Sequence, residues 1–217
     1  MLLTITTTHR PATDLGELLF ADPHDVRTRR FPFGEALVFF PQYDDARCTA
    51  AVLLQSSLSG PESSPSCLAV VLATMFEQSL HAQTAGHPAA AEWLPFEVQV
   101  PTPPCVDGEI RTRVLFEPLG YTVGSGTDGS LWLSATLPLA SLLTHLCVLL
   151  PVLDDRPLPD AVETVDRLLA NSEPWLASHP ECTRIARRFL GSRSGSSDGP
   201  THGGLSGGRL CMRRASA

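Results

Sequence analysis

FEVQV, Phe96 to Val100, sets Phe, Val and Val alternately with Glu and Gln. A period of two belongs to a strand that is wet on one face and dry on the other. The dry face must be covered, and two apolar runs with helical character can do so. In one, Cys67 to about Ala82, residues Leu68, Val71, Leu72, Met75, Phe76 and Leu80 recur at helical spacing; the other is Leu139 to Leu150. Working outward, Leu2 to Thr8, Ala36 to Phe40 and Thr49 to Gln55 read as further strands, the last two joined by the polar Gln42 to Arg47 connection. Tyr121 to Val123 and Leu131 to Leu137 offer a hairpin across GSGTDG. The expected class is α+β: a mainly antiparallel sheet packed by helices.

Between these elements the punctuation is clear. Asp14, with Glu17 three residues on, has the spacing of a capping box and predicts a short helix through Phe20, ended by Asp22-Pro23. Ser56 to Ser66 and PTPPC at 101–105 read as loops, and Glu109 to Pro118 as a helix. Helices are also expected near Ala161 to Ala170 and through Trp175 to Leu190. From residue 191 the composition turns to Gly, Ser and Arg, too poor in apolar surface to order itself, so a domain over 1–190 and a disordered tail over 191–217 are expected. Two sub-lobes, about 1–103 and 104–190, are a further expectation.

Composition narrows the chemistry. All 16 basic residues are arginine. A lysine nucleophile, an adenylated lysine and a Walker A phosphate loop are thereby excluded. The tail carries four arginines against one aspartate, so the formal −7 of the chain leaves −10 on residues 1–190, a poor surface for nucleic-acid phosphates. A protein partner is the better match. The start lacks the basic region of a signal peptide and no apolar stretch reaches membrane-spanning length, which points to the cytoplasm. The six cysteines, at 48, 67, 105, 147, 182 and 211, have no metal-ligand spacing and read as free thiols.

No catalytic constellation emerges. GSGTDG at 124–129 links two strands, whereas a nucleotide loop runs from strand to helix. There is no GxSxG elbow and no HExxH or HxH spacing among the seven histidines. His145, inside an apolar helix, reads as a hydrogen-bonded core residue. Asp44/Asp45 and Asp154/Asp155 are either solvated loops and caps or candidates for acid/base and metal work.

MLLTITTTHRPATDLGELL at the start, RCTAAVLL at 47–54, LFEPLGYTV at 115–123, LLTHLCVLLPVLDD at 142–155 and WLASHPECTRIARRFL at 175–190 resemble, in order, the N-terminal half of bacterial 3′-terminal RNA ribose 2′-O-methyltransferases, relatives of the plant methyltransferase HEN-one. The resemblance implies a division of labour. In that family the C-terminal half holds S-adenosylmethionine and a divalent metal and methylates the RNA end. The N-terminal half binds and activates the RNA ligase module of a polynucleotide kinase/phosphatase/ligase. This chain resembles only the activating half, so no cofactor is expected in it and RNA is expected only indirectly.

Two segments depart from the family. SSLSGPESSPS stands where relatives carry a VNDRPY-like motif, and RPLPDAVE where they carry a KHYW-like one. The alternative reading is a truncated or split 3′-terminal RNA ribose 2′-O-methyltransferase, active or inactive. For the activating half, His9, Arg10, Asp14, Asp154 and Asp155 are the candidate partner-binding residues. Thr8, His9 and Arg10 end the first strand and Pro11 fixes the turn, which would hold His9 and Arg10 at a surface corner. The plain reading, a strand end with local hydrogen bonds, stands beside it.

Overall fold

A computed structural model describes residues 1–56, 64–80, 91–100, 107–126, 130–154 and 175–193. Among these residues seven strands form one antiparallel sheet: β1 (Leu2–Thr7), β2 (Arg27–Phe31), β3 (Gly34–Tyr43), β4 (Cys48–Ser56), β5 (Leu94–Val100), β6 (Thr122–Ser125) and β7 (Leu131–Leu137). Their order is β2-β3-β4-β1-β5-β7-β6, which joins strands from both sides of residue 103. β1 is central, with Ile5 opposite Ala50 on one side and Val98 on the other. In β5 the alternation of the sequence becomes strict alternation of buried and exposed residues from Leu94 to Val100.

The dry face carries Leu3, Ile5, Val52, Leu54, Phe96, Val98 and Leu133, all buried. Two helices cover it: α2 (Pro65–Met75) and α5 (Leu139–Leu149), which pack on each other. Both are apolar almost all round, as expected of helices enclosed in a core rather than laid on its surface. α3 (Glu77–Leu80), α4 (Gly108–Phe116) and α6 (Cys182–Arg193) complete the layer, with α1 (Asp14–Leu18) near the end of β4. Among the described residues no helix is long and apolar enough to cross a membrane.

The start of α2 shows how the layer is pinned. Ser64 is its N-cap, accepting the Cys67 amide at 3.3 Å, and Pro65 follows, where a missing N–H costs nothing. The Ser66 amide donates to Oδ2 of Asp154 at 3.3 Å. Arg188 on α6 donates to the Pro151 carbonyl at 2.7 Å and to the Ser66 hydroxyl at 3.2 Å. Three distant stretches therefore meet at one helix end. Ser64→Ala should lower stability by about 1 kcal/mol, read as an earlier urea midpoint with an unchanged slope.

Several expectations are corrected. Asp14 does not cap α1: it is the first helical residue, Thr13 holds the cap position, and no side-chain cap bond forms. The Pro11 and Thr13 carbonyls already accept the Asp14 and Gly16 amides, so the backbone has taken donors that an Asp14 cap and its reciprocal Glu17 would serve. That helix ends at Leu18, before Phe20, whose φ is 49°. The 67–82 helix starts at Pro65 and breaks at Phe76 into α2 and α3. β2 was not foreseen, and α6 runs to Arg193, past the expected start of the tail at 191. The expected helix at 161–170 and the tail from 194 lie outside the described residues.

Candidate functional site

The corner after β1 is built by bonds to its neighbours. Thr7 donates its hydroxyl to the Pro95 carbonyl at 2.8 Å and accepts the His9 amide at 3.3 Å. Ala12 donates to the Asp45 carbonyl at 3.0 Å, tying the corner to the β3–β4 turn. Within that turn, Asp44 accepts the Ala46 and Arg47 amides and the Gln42 side-chain amide. These bonds, the Gln42 one foremost, hold its carboxyl below the usual carboxylate range. Asp44 therefore shapes a turn. The scaffold beneath the corner is fixed, and Arg10 projects from it exposed.

His9 Nε2 lies 3.7 Å from Glu92 Oε2 with both side chains partly in water, a contact worth little by itself. Next in the chain to Glu92 is Trp93, 71% exposed, the most exposed large apolar side chain among the described residues. Burying an indole releases more unfavourable hydration than burying almost any other side chain, and Trp and Arg dominate the energetics of protein interfaces. Sequence reasoning missed Trp93. Its only signal was a tryptophan just outside an alternating strand.

From the corner the wet face of the sheet opens. A shallow cavity of about 370 Å³ is lined by Thr4, Thr6, Arg47, Glu97, Gln99 and Trp132, among others. The Trp132 ring lies over Gly124 on β6, at a point where a Cβ would run into it. Arg47 donates to Glu97 at 2.9 Å, so the groove's cation is matched by a carboxylate. Hydroxyls, a carboxamide and an aromatic edge make this a surface for polar and stacking contacts. It has no excess positive charge for phosphates.

The other candidate residues lie elsewhere. Asp14 is half-buried in α1, where its charge favours the positive end of that helix. Asp154 is only 7% exposed and faces the start of α2, about the core rather than the corner. Asp155 lies outside the described residues. The structure thus brings His9 to Glu92, the chain neighbour of Trp93, while Asp154 lies at the start of α2.

His145 sits in a buried aromatic cluster. Its Nδ1 is 2.9 Å from the Tyr121 hydroxyl, and its ring meets Trp175 edge-on at 4.8 Å. Burial, with a smaller effect of nearby His179, lowers the pKa of His145 to about 4. His179 must donate from Nε2 to the Leu115 carbonyl, at 2.9 Å, because its Nδ1 accepts the Glu181 amide at 3.0 Å. Both rings have structural partners. Among the described residues no three His, Cys, Asp or Glu side chains gather to hold a metal. Four cysteines, at 48, 67, 147 and 182, are free thiols, and burial pushes the Cys48 thiol up to about 11.

The family model that matches this chain is that of the RNA repair, ligase-Pnkp-associating, region of Hen1, over residues 1–60 and 59–198. No curated protein matches significantly. A chain of the solved Pnkp1/Rnl/Hen1 RNA repair complex superimposes with a TM-score of 0.56 at 15% identity, covering 79% of this chain and 48% of that one. A second structure of a Pnkp1/Rnl/Hen1 complex gives 0.55 at 12% identity, covering 79% and 47%. At such identities the likeness is one of fold. The chain spans about half the length of the solved chains it matches.

Proposed function

The chain belongs to the RNA-repair, ligase-Pnkp-associating region of Hen1, and on that footing we propose that it is a docking domain that binds a Pnkp-type RNA ligase and activates it without chemistry of its own. The observation that carries this reading is the family match, which extends over all the described residues. The surface supports it: an acidic body, an exposed Trp93 next in the chain to the Glu92 that His9 meets, and a charge-neutral groove are features of a protein contact. In this reading methyl donor and divalent metal belong to the catalytic half of full-length relatives. Activation follows if the ligase's competent conformation binds the docking surface more tightly than its idle one, since a ligand shifts an equilibrium only by differential affinity.

The test mixes the purified chain with a Pnkp-type ligase and follows both co-elution and the joining of nicked RNA. Ligation should rise with added chain and saturate with complex formation. Replacing His9 and Arg10 together by alanine should weaken association about tenfold, as for two partly exposed polar contacts at an interface, with melting unchanged. A ligase that neither binds the chain nor responds to it would end the proposal.

A further inference from the structure

Among the described residues, one end of the sheet is covered and the other is open. β6 is packed by α4, whereas β2 pairs with β3 and makes no more than marginal contact with any other described element. β2 reads RTRRF, and residues 27–30 are all exposed. Opposite Ala36 and Val38, Arg29 and Arg27 belong to the helix-bearing face of the sheet, while Thr28 and Arg30, opposite Leu37 and Glu35, belong to the wet face. Arginine charge therefore flanks this edge on both faces.

Backbone geometry adds a second observation. Only two residues, Pro32 and Phe33, separate Phe31 from Gly34, so those two form a hydrogen-bonded pair. By alternation Arg29 and Arg27 also turn their N–H and C=O toward β3, leaving those of Thr28 and Arg30 directed outward. An outward row of this kind is a template for another strand. The side chains beside it are little engaged. Arg30 is 3.4 Å from Glu35 yet 91% exposed, Arg29 lies 5.8 Å from the Phe31 ring centre, and Arg27 has no partner among the described residues.

Charged residues on an edge strand also guard against aggregation. The sign of the charge separates guarding from recognition. Glutamates on this acidic body would repel a second copy and any acidic chain alike; arginines repel a second copy, which would lay Arg against Arg, yet leave the edge open to an acidic strand. RNA fits less well, because a polynucleotide cannot pair with the outward backbone row and the arginines do not form a single stripe.

We propose that the β2 edge accepts one further strand from an extended acidic segment of a protein partner. Its backbone pairs with Thr28 and Arg30, and its carboxylates, alternating onto the helix-bearing face, lie beside Arg27 and Arg29. This goes beyond the corner surface and needs none of its residues. The test uses the full chain, ¹⁵N-labelled, and a synthetic peptide of about eight alternating Glu and Val residues, the length of an ordinary strand. Controls are the same peptide with Lys for Glu, the same peptide N-methylated at alternate residues, and single-stranded oligouridylate of equal charge.

The expected result is slowed amide exchange at Thr28 and Arg30 with the acidic peptide, and binding at least about tenfold weaker for both altered peptides. Arg27→Glu with Arg29→Glu should lose the same factor, and Thr28→Pro should abolish the protection. The charge-reversed chain keeps the experiment decisive if the proline variant does not fold. Absent protection at millimolar peptide, equal binding of the Lys peptide, oligouridylate displacing the peptide from the edge, or a dimer formed through β2 would each overturn the proposal. No ligase is present, so failure here leaves the corner reading intact, and failure of that reading leaves this one intact.

Discussion

Replacing Trp93 by alanine is expected to weaken association with a Pnkp-type ligase about thirtyfold, roughly 2 kcal/mol, the largest loss from any single exposed residue of the corner. In the free protein the indole is 71% exposed. Removing it therefore leaves little cavity and strips no partner from a buried group, so the melting temperature should hold. In a complex the same ring would lose its water, and a desolvated tryptophan is the side chain whose truncation most often costs an interface more than 1 kcal/mol. Titration calorimetry on the variant decides it. Affinity within twofold of the parent would remove Trp93 from the docking surface.

A companion variant, Trp132→Ala, tells how far that surface reaches. Trp132 lies in the groove on the wet face and is more sheltered than Trp93. A loss with both variants makes corner and groove one contact. A loss with Trp93 alone confines the contact to the corner, where β1 ends against Pro95 and the β3–β4 turn.

The sequence made some of this legible and hid the rest for physical reasons. β5 could be read because each of its residues obeys the same two-sided environment, and the β6–β7 hairpin because its alternating strands flank a glycine-rich turn. β2 could not, since an edge strand exposed on both faces has no pattern of burial to print on its residues. The start of α2 was missed by two residues because Ser64 and Pro65 look like the end of a Ser/Pro loop until the cap bond is seen.

Long-range partners are the other limit. Asp154 reads as a carboxylate after an apolar helix, and only folding brings it to an amide 88 positions earlier in the chain. That contact makes it part of the packing about α2. The exposure of Trp93 is likewise a property of what fails to cover it, which no local pattern records. The corner of His9 and Arg10 is legible because Pro11 turns the chain there, leaving Arg10 exposed and His9 half-buried. Of the corner, the bend was legible in the sequence and the exposed Trp93 was not.

His145 was read as a satisfied core residue, and its environment gives the second large effect, on stability against pH. Unfolded, the imidazole titrates near its ordinary 6.5; folded, burial beside Tyr121, Trp175 and His179 holds it near 4. Above pH ~6.5 both states are neutral and the cluster's contribution is whole. Between ~6.5 and ~4 the unfolded chain takes up a proton that the folded chain resists, so stability falls by about 1.4 kcal/mol per pH unit, or about 3 kcal/mol across the window. Below ~4 both states are protonated and this loss stops growing. His145→Gln keeps a hydrogen-bonding side chain for the Tyr121 hydroxyl but does not titrate. Urea unfolding of both proteins across the window should show the parent declining more steeply, by that amount. Carboxylates common to both cancel in the difference, so parallel curves would mean that the folded ring takes its proton as readily as the unfolded one and is not held neutral by its burial.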